Sequence, residues 1–198
     1  MGTQTKVTGV ILAGGLARRM NNRDKGLVRF KGQPMVSYAI AAMNAVADQT
    51  IINANRNIAE YKEFGLPVVS DQTDSFDGPL AGVLTAMMFA ETGLLLVMPC
   101  DSPLVKAEHL QKLLSTQETS DADVAVAFDG ERLHPVFFAI KVILKPNLQD
   151  YLLNGQRKID HWLEKHKMVT VDFSTEAKIF ININSMAELS ELETRRER

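Results

Sequence analysis

Two adjacent glycines, a cluster of cations and one aspartate carry the chemistry that this sequence advertises. Gly14-Gly15 end an apolar, β-branched run that begins at Val7, and Arg18, Arg19 and Lys25 follow within one loop. Glycine lets backbone N–H groups approach an anion, and Arg and Lys supply charge, so residues 7–26 form a candidate phosphate cradle. Two common patterns are excluded. The glycines are adjacent with no third, so G-x-G-x-x-G does not fit. Neither precedes Lys-Ser/Thr, so G-x-x-x-x-G-K-[ST] does not fit either. Asp101 follows the apolar run 94–98 and Pro99-Cys100. A carboxylate at the tip of a buried strand is either a hard oxygen ligand for Mg²⁺, completed by phosphate oxygens, or a cap for the helix beyond Pro103.

These groups need elements to hold them at one edge. Residues 7–13 read as a buried strand. The stretch 27–30 is extended, Pro34 opens a helix over 35–47, and 50–54 is the second strand. A helix over 58–64 stops at Gly65, and 66–70 is the third strand, with Asp71 at its end. Pro79 opens an Ala- and Met-rich helix over 80–91, and 94–98 is apolar throughout, as suits a central strand covered on both faces. Beyond it the pattern predicts a helix over 105–114, strands at 123–128 and 136–140, and a helical pair over 142–166 broken near Asn154-Gly155. Late strands at 169–173 and 179–183 and a helix over 186–192 complete the chain. Alternating strands and helices imply right-handed βαβ units, hence an α/β, Rossmann-like, three-layer fold around a mostly parallel sheet. Ligands of such sheets bind at the carboxyl ends of the strands, where this sequence places Gly14-Gly15, Asn53, Asp71 and Asp101.

The stretch Leu12-Ala13-Gly14-Gly15, then Arg19-Met20, then Asp24-Lys25, resembles the L-A-G-G-x-[SA]-x-R-M-G-x-D-K signature of sugar-nucleotide-like nucleotidyltransferases, and among them the molybdenum cofactor guanylyltransferases. Asn21 and Asn22 stand where that family usually has glycine, and Ala17 where many members have serine. Pro99-Cys100-Asp101-Ser102-Pro103 resembles the family's metal-binding motif. The resemblance implies transfer of GMP from GTP to molybdopterin, with release of pyrophosphate. It places the triphosphate on Leu12, Ala13, Gly14, Gly15, Arg19 and Lys25, and Mg²⁺ on Asp101. Base and ribose contacts fall to Asn53, Asp71 and the turn 78–82 ending at Gly82. Asn182 and Asn184 resemble the family's acceptor-side Asn-x-Asn-[ST]. On this reading Asp101, Arg19 and Lys25 are catalytic, and Cys100 is a packed thiol, since a phosphoryl acceptor needs no covalent cysteine. His134 reads as a satisfied loop histidine. Arg157 and Lys158 either hold an acceptor phosphate or begin a solvated helix. A cytidylyl or sugar-phosphate transferase, or a non-catalytic GTP sensor, is the alternative on the same fold.

Length and composition set the frame. The chain has 198 residues, 45% hydrophobic and 23% charged, with a net charge of −2. One domain is expected over 1–198, with a nucleotide-binding half over about 1–104 and an acceptor half over about 105–198. The slight acidity argues against non-specific nucleic-acid binding but allows a local basic pocket. Cys100 is the sole cysteine, which excludes an intrachain disulfide and a Cys-rich metal site. Residues 1–6 are short and polar, so no leader is expected, and no apolar run approaches the ~20 residues of a membrane span. The expectation is a cytoplasmic, monomeric enzyme whose partners are GTP, molybdopterin and, transiently, cofactor-handling proteins.

Overall fold

The computed structural model of the chain describes residues 5–13, 24–71, 78–181, 183 and 188–190. At its centre lie β1 (Val7–Leu12) and β6 (Leu94–Pro99), paired in parallel. Strands β4 (Gln49–Asn53) and β5 (Val68–Val69) extend the sheet on one side, also in parallel. On the other side come β8 (Leu133–Lys141), β7 (Val124–Phe128) and β9 (Met168–Asp172). The seven-stranded order is β5-β4-β1-β6-β8-β7-β9. Among the described strands only β8 runs against its neighbours, so the sheet is mostly parallel, as the alternation of elements predicts. A two-stranded ribbon, β2 (Arg29–Phe30) with β3 (Gln33–Pro34), stands apart.

Each central strand is covered twice. Along β6, Leu94, Leu96 and Met98 join one apolar cluster while Leu95 and Val97 join the other, which is the period-2 alternation of a strand. Helices α1 (Met35–Asn44) and α4 (Ala107–Thr119) cover the first face through Val36, Ala39, Met43, Leu110 and Leu113. Helices α3 (Pro79–Phe89), α5 (Lys145–Leu153) and α6 (Ile159–Leu163) cover the second through Leu80, Val83, Met87, Leu148 and Trp162. Burying each such side chain contributes about 1.5–3 kcal/mol before entropy is counted. The short helix α2 (Ile58–Lys62) leads into β5.

Two expectations need correction. The strand expected over 179–183 is absent among the described residues there: Ser174–Phe180 is a 3₁₀ segment, and Ile181 is extended without a strand partner. The cause is aromatic packing. Phe180 stacks on His134 at 4.2 Å between ring centres and meets Phe137 and Phe173 edge-on, so the chain coils to deliver it. The helix expected over 105–114 begins at Ala107 and runs on to Thr119. Its last turns are largely polar and solvent-facing, which hides their helical spacing in the sequence. The β7–β8 pairing also shifts register, from Val126↔Phe138 to Ala127↔His134. Pro135, which has no N–H for a ladder, sits in that irregularity.

Candidate active site

The carboxyl ends of β4, β1 and β6 lie level. Leu12 is opposite both Asn53 and Pro99, and the ladder continues one step through Ala13 N–H to the Asn53 carbonyl (2.8 Å) and Cys100 N–H to the Leu12 carbonyl (3.1 Å). Asp101 therefore emerges beside the end of β1. It does not cap the next helix, which starts at Ala107 with Lys106 as its N-cap. The Lys25 ammonium donates to Asp101 Oδ2 at 3.0 Å, while Oδ1 is buried without a hydrogen-bond partner. A buried, unpaired carboxylate oxygen is costly unless something cationic or protic is meant for it. Among the described residues no group of three His, Cys, Asp or Glu could enclose a metal. A divalent ion here would take one carboxylate from the chain and its other oxygens from substrate and water. That donor set fits Mg²⁺, which keeps waters and binds through one or two carboxylates plus phosphates.

Local sequence explains how Lys25 reaches Asp101. Asp24 opens a 3₁₀ turn, Lys25–Leu27, and accepts the Gly26 N–H at 3.2 Å. Gly26 packs so tightly that a Cβ there would run into the Tyr61 hydroxyl and crowd the Cys100 sulfur. The absence of a side chain lets the turn lie against the end of β6, with Lys25 directed along it. Cys100 is the packed thiol the sequence suggests: burial, with Asp101 and Asp24 nearby, pushes its pKa up, so it stays protonated.

A second group lies on the β4 side. Asn53 Nδ2 donates to Asp71 Oδ1 and Asn55 Nδ2 to Asp71 Oδ2, each at 2.8 Å, and the Asp71 N–H returns a bond to Asn55 Oδ1. Gly82, in the first turn of α3, faces Asn53 and Leu12: an added Cβ would collide with Asn53 Oδ1 and touch the Leu12 side chain. Leu12, Asn53, Asp71 and Gly82 are thus one neighbourhood, and Ala13, Lys25 and Asp101 adjoin it along the same edge. Gly14, Gly15, Arg19, Asn182 and Asn184 lie outside the described residues. His134 is a satisfied histidine, its Nε2 2.6 Å from Asp129 Oδ2. Arg157 donates to the Leu152 and Gln156 carbonyls and so finishes α5, and Lys158 is the N-cap of α6.

Sequence reasoning missed Asn55, which shares Asp71 with Asn53, and the partners of Asp24, namely Tyr61 and Asn57. Asn55 had a usable signal, a third polar residue in the Asn53–Asn55 strand tip. Tyr61 had none, standing in an amphipathic helix where an aromatic reads as core.

Residues 9–169 match the family described as the MobA-like NTP transferase domain. The molybdenum cofactor guanylyltransferase of Shewanella piezotolerans is 44% identical over 186 residues, covering 94% of this chain and 91% of that protein. That of Mannheimia succiniciproducens is 45% identical over 184 residues, covering 93% and 97%. Among solved structures, molybdopterin-guanine dinucleotide biosynthesis protein A from Archaeoglobus fulgidus superposes with a TM-score of 0.77 at 23% identity, covering 94% of this chain and 96% of that one. At that identity the superposition speaks for the fold alone.

Proposed function

We infer the function from one premise: the chain belongs to the MobA-like NTP transferase family, and so is a nucleotidyltransferase. We propose that it transfers GMP from GTP to molybdopterin, releasing pyrophosphate and forming the guanine dinucleotide cofactor. The observation that carries the chemistry is the Lys25–Asp101 pair at the end of β6, with the second carboxylate oxygen buried and unpaired. The half over about 1–104 takes the nucleotide and the half over about 105–198 the acceptor. Leu12, Ala13, Gly14 and Gly15 cradle the triphosphate with Arg19 and Lys25. Asn182 and Asn184 face the acceptor.

When Mg²⁺ is bound, it supplies Lewis acidity that makes the α-phosphorus more electrophilic and offsets charge on the phosphates. Asp101 would hold it. An acceptor phosphate has a second pKa of about 6, is largely dianionic at pH 7, and attacks the α-phosphorus without a strong base. The bond from that phosphorus to the bridging oxygen breaks, and the electron pair leaves with pyrophosphate. Lys25 bears three N–H donors, enough to keep Asp101 and contact phosphate together. Positioning and charge neutralisation do the rest.

The β4 edge supports guanine. Asp71 is held as an acceptor by Asn53 and Asn55. Guanine presents donors at N1–H and N2–H₂, whereas adenine presents an acceptor at N1, which would face a carboxylate unpaired. Purified protein with Mg²⁺ and each nucleoside triphosphate, with and without molybdopterin, tests the reading. Pyrophosphate release is expected with GTP, only when the acceptor is present, at least about 10²-fold above CTP or ATP in kcat/KM. The double variant Leu12→Thr with Gly14→Ala should move the preference toward CTP. A wild-type protein preferring CTP would overturn the guanylyl assignment, and GTP binding without pyrophosphate release would make it a sensor.

A further inference from the structure

The cluster beneath Lys25 is more elaborate than a turn requires. Asp24 is 7% exposed, and its carboxylate receives three donors: the Tyr61 hydroxyl at 2.5 Å and the Gly26 N–H at 3.2 Å on Oδ1, and Asn57 Nδ2 at 3.1 Å on Oδ2. Two of those donors come from the far side of β4, some thirty residues away in sequence. Tyr61 is fully buried in α2, and its burial raises the phenol's pKa, so the group stays an O–H donor. Asn57 precedes α2 in the left-handed conformation (φ 49°, ψ 35°), which turns its amide toward Asp24 instead of into the helix. A hydrogen bond to an ionised carboxylate is roughly twice as strong as a neutral one, and three of them leave Asp24 little freedom.

Lys25 is the next residue. Its backbone lies between Asp24, pinned by α2, and Gly26, pressed against Tyr61 and Cys100. Its side chain has four rotatable bonds, and holding it on Asp101 costs rotamer freedom. A rigid backbone anchor lowers the part of that cost that arises from wandering of the Cα. The same loop, residues 53–57, also supplies Asn53 and Asn55 to Asp71, so one connection steadies both the base edge and the phosphate lysine.

We propose that Tyr61 and Asn57, acting through Asp24, are positioning residues for Lys25, forming a latch that presents its ammonium to the triphosphate. The proposal rests on the nucleotidyltransferase reading and extends it to residues that touch neither substrate nor metal. The latch predicts non-additivity. A residue that works only through Lys25 loses its kinetic effect once Lys25 is gone.

The test is a double-mutant cycle on full-length protein. Tyr61→Phe removes one hydroxyl and keeps the ring. Asn57→Gly removes the amide and tolerates the positive φ, so it provides a second probe without backbone strain. Each is made alone and with Lys25→Ala. Readouts are kcat/KM and KM for the triphosphate, its Kd without acceptor, and the thermal midpoint. With Lys25 present, each variant should lower kcat/KM by about tenfold, the size of one lost charge-assisted bond, mainly through a raised KM. In the Lys25→Ala background the same changes should alter Kd and kcat/KM less than about twofold, the residual expected of sites that no longer couple. Equal losses in both backgrounds, or no loss with Lys25 present, would overturn the latch. The cycle uses whichever triphosphate the wild type turns over, so a wild type that ignores GTP refutes the guanylyl reading and leaves the latch separately tested.

Discussion

Asp101→Asn is expected to fold with a thermal midpoint within a few degrees of the parent protein and to lose turnover on the order of 10³-fold. The change is isosteric and keeps an oxygen for the Lys25 ammonium, so packing at the end of β6 survives. It also relieves the cost of a buried charge whose Oδ1 has no hydrogen-bond partner. What disappears is the negative charge that would hold a divalent cation against the α-phosphate. Lewis-acid stabilisation supplies several kcal/mol of the barrier reduction, and each 1.4 kcal/mol is a factor of ten. The check is kcat at saturating Mg²⁺, alongside the melting curve. Near-normal rates would remove Asp101 from the metal site.

Lys25→Ala is expected to weaken GTP binding and lower kcat/KM by about 10²-fold, from loss of charge-assisted contacts to phosphate. The loss should be larger at low ionic strength, because salt screens a partly exposed cation. Arg23→Ala, two residues earlier in the sequence and outside the proposed machinery, should change binding little. Titrations of both variants with GTP at low and high salt provide the comparison. If the two behave alike, the loop acts as a diffuse basic surface and Lys25 makes no specific contact with the triphosphate. Removing Lys25 also strips Asp101 of its ion pair, so a modest change in midpoint is expected with the kinetic loss.

Much of this site could be read from residue order alone, for a physical reason. A parallel sheet buried on both faces needs continuous apolar strands, and polar residues must wait for the strand's end, where the ligand edge lies. Asn53, Asp71 and Asp101 each follow such a run, and each is found at that edge. Strand direction was not legible, because an apolar run reads the same either way. β8 is antiparallel to both its neighbours, and nothing in its composition announces this. The 179–183 segment misled for the opposite reason. Its β-branched and aromatic residues read as a strand, yet Phe180 is claimed by the ring of His134 and the edges of Phe137 and Phe173. The Asp24 latch was invisible because its donors lie 33 and 37 positions away and take meaning only after β4 and α2 are folded against the loop.

Guanylyl transfer leaves the nucleotide's α-phosphate on the acceptor. GTP labelled at the α-phosphorus, incubated with the protein, Mg²⁺ and molybdopterin, should place one label on the pterin product. GTP labelled at the γ-phosphorus should place none there and put all of it in pyrophosphate. Label on the pterin from the γ-position, or none from the α-position while GTP is consumed, would contradict guanylyl transfer.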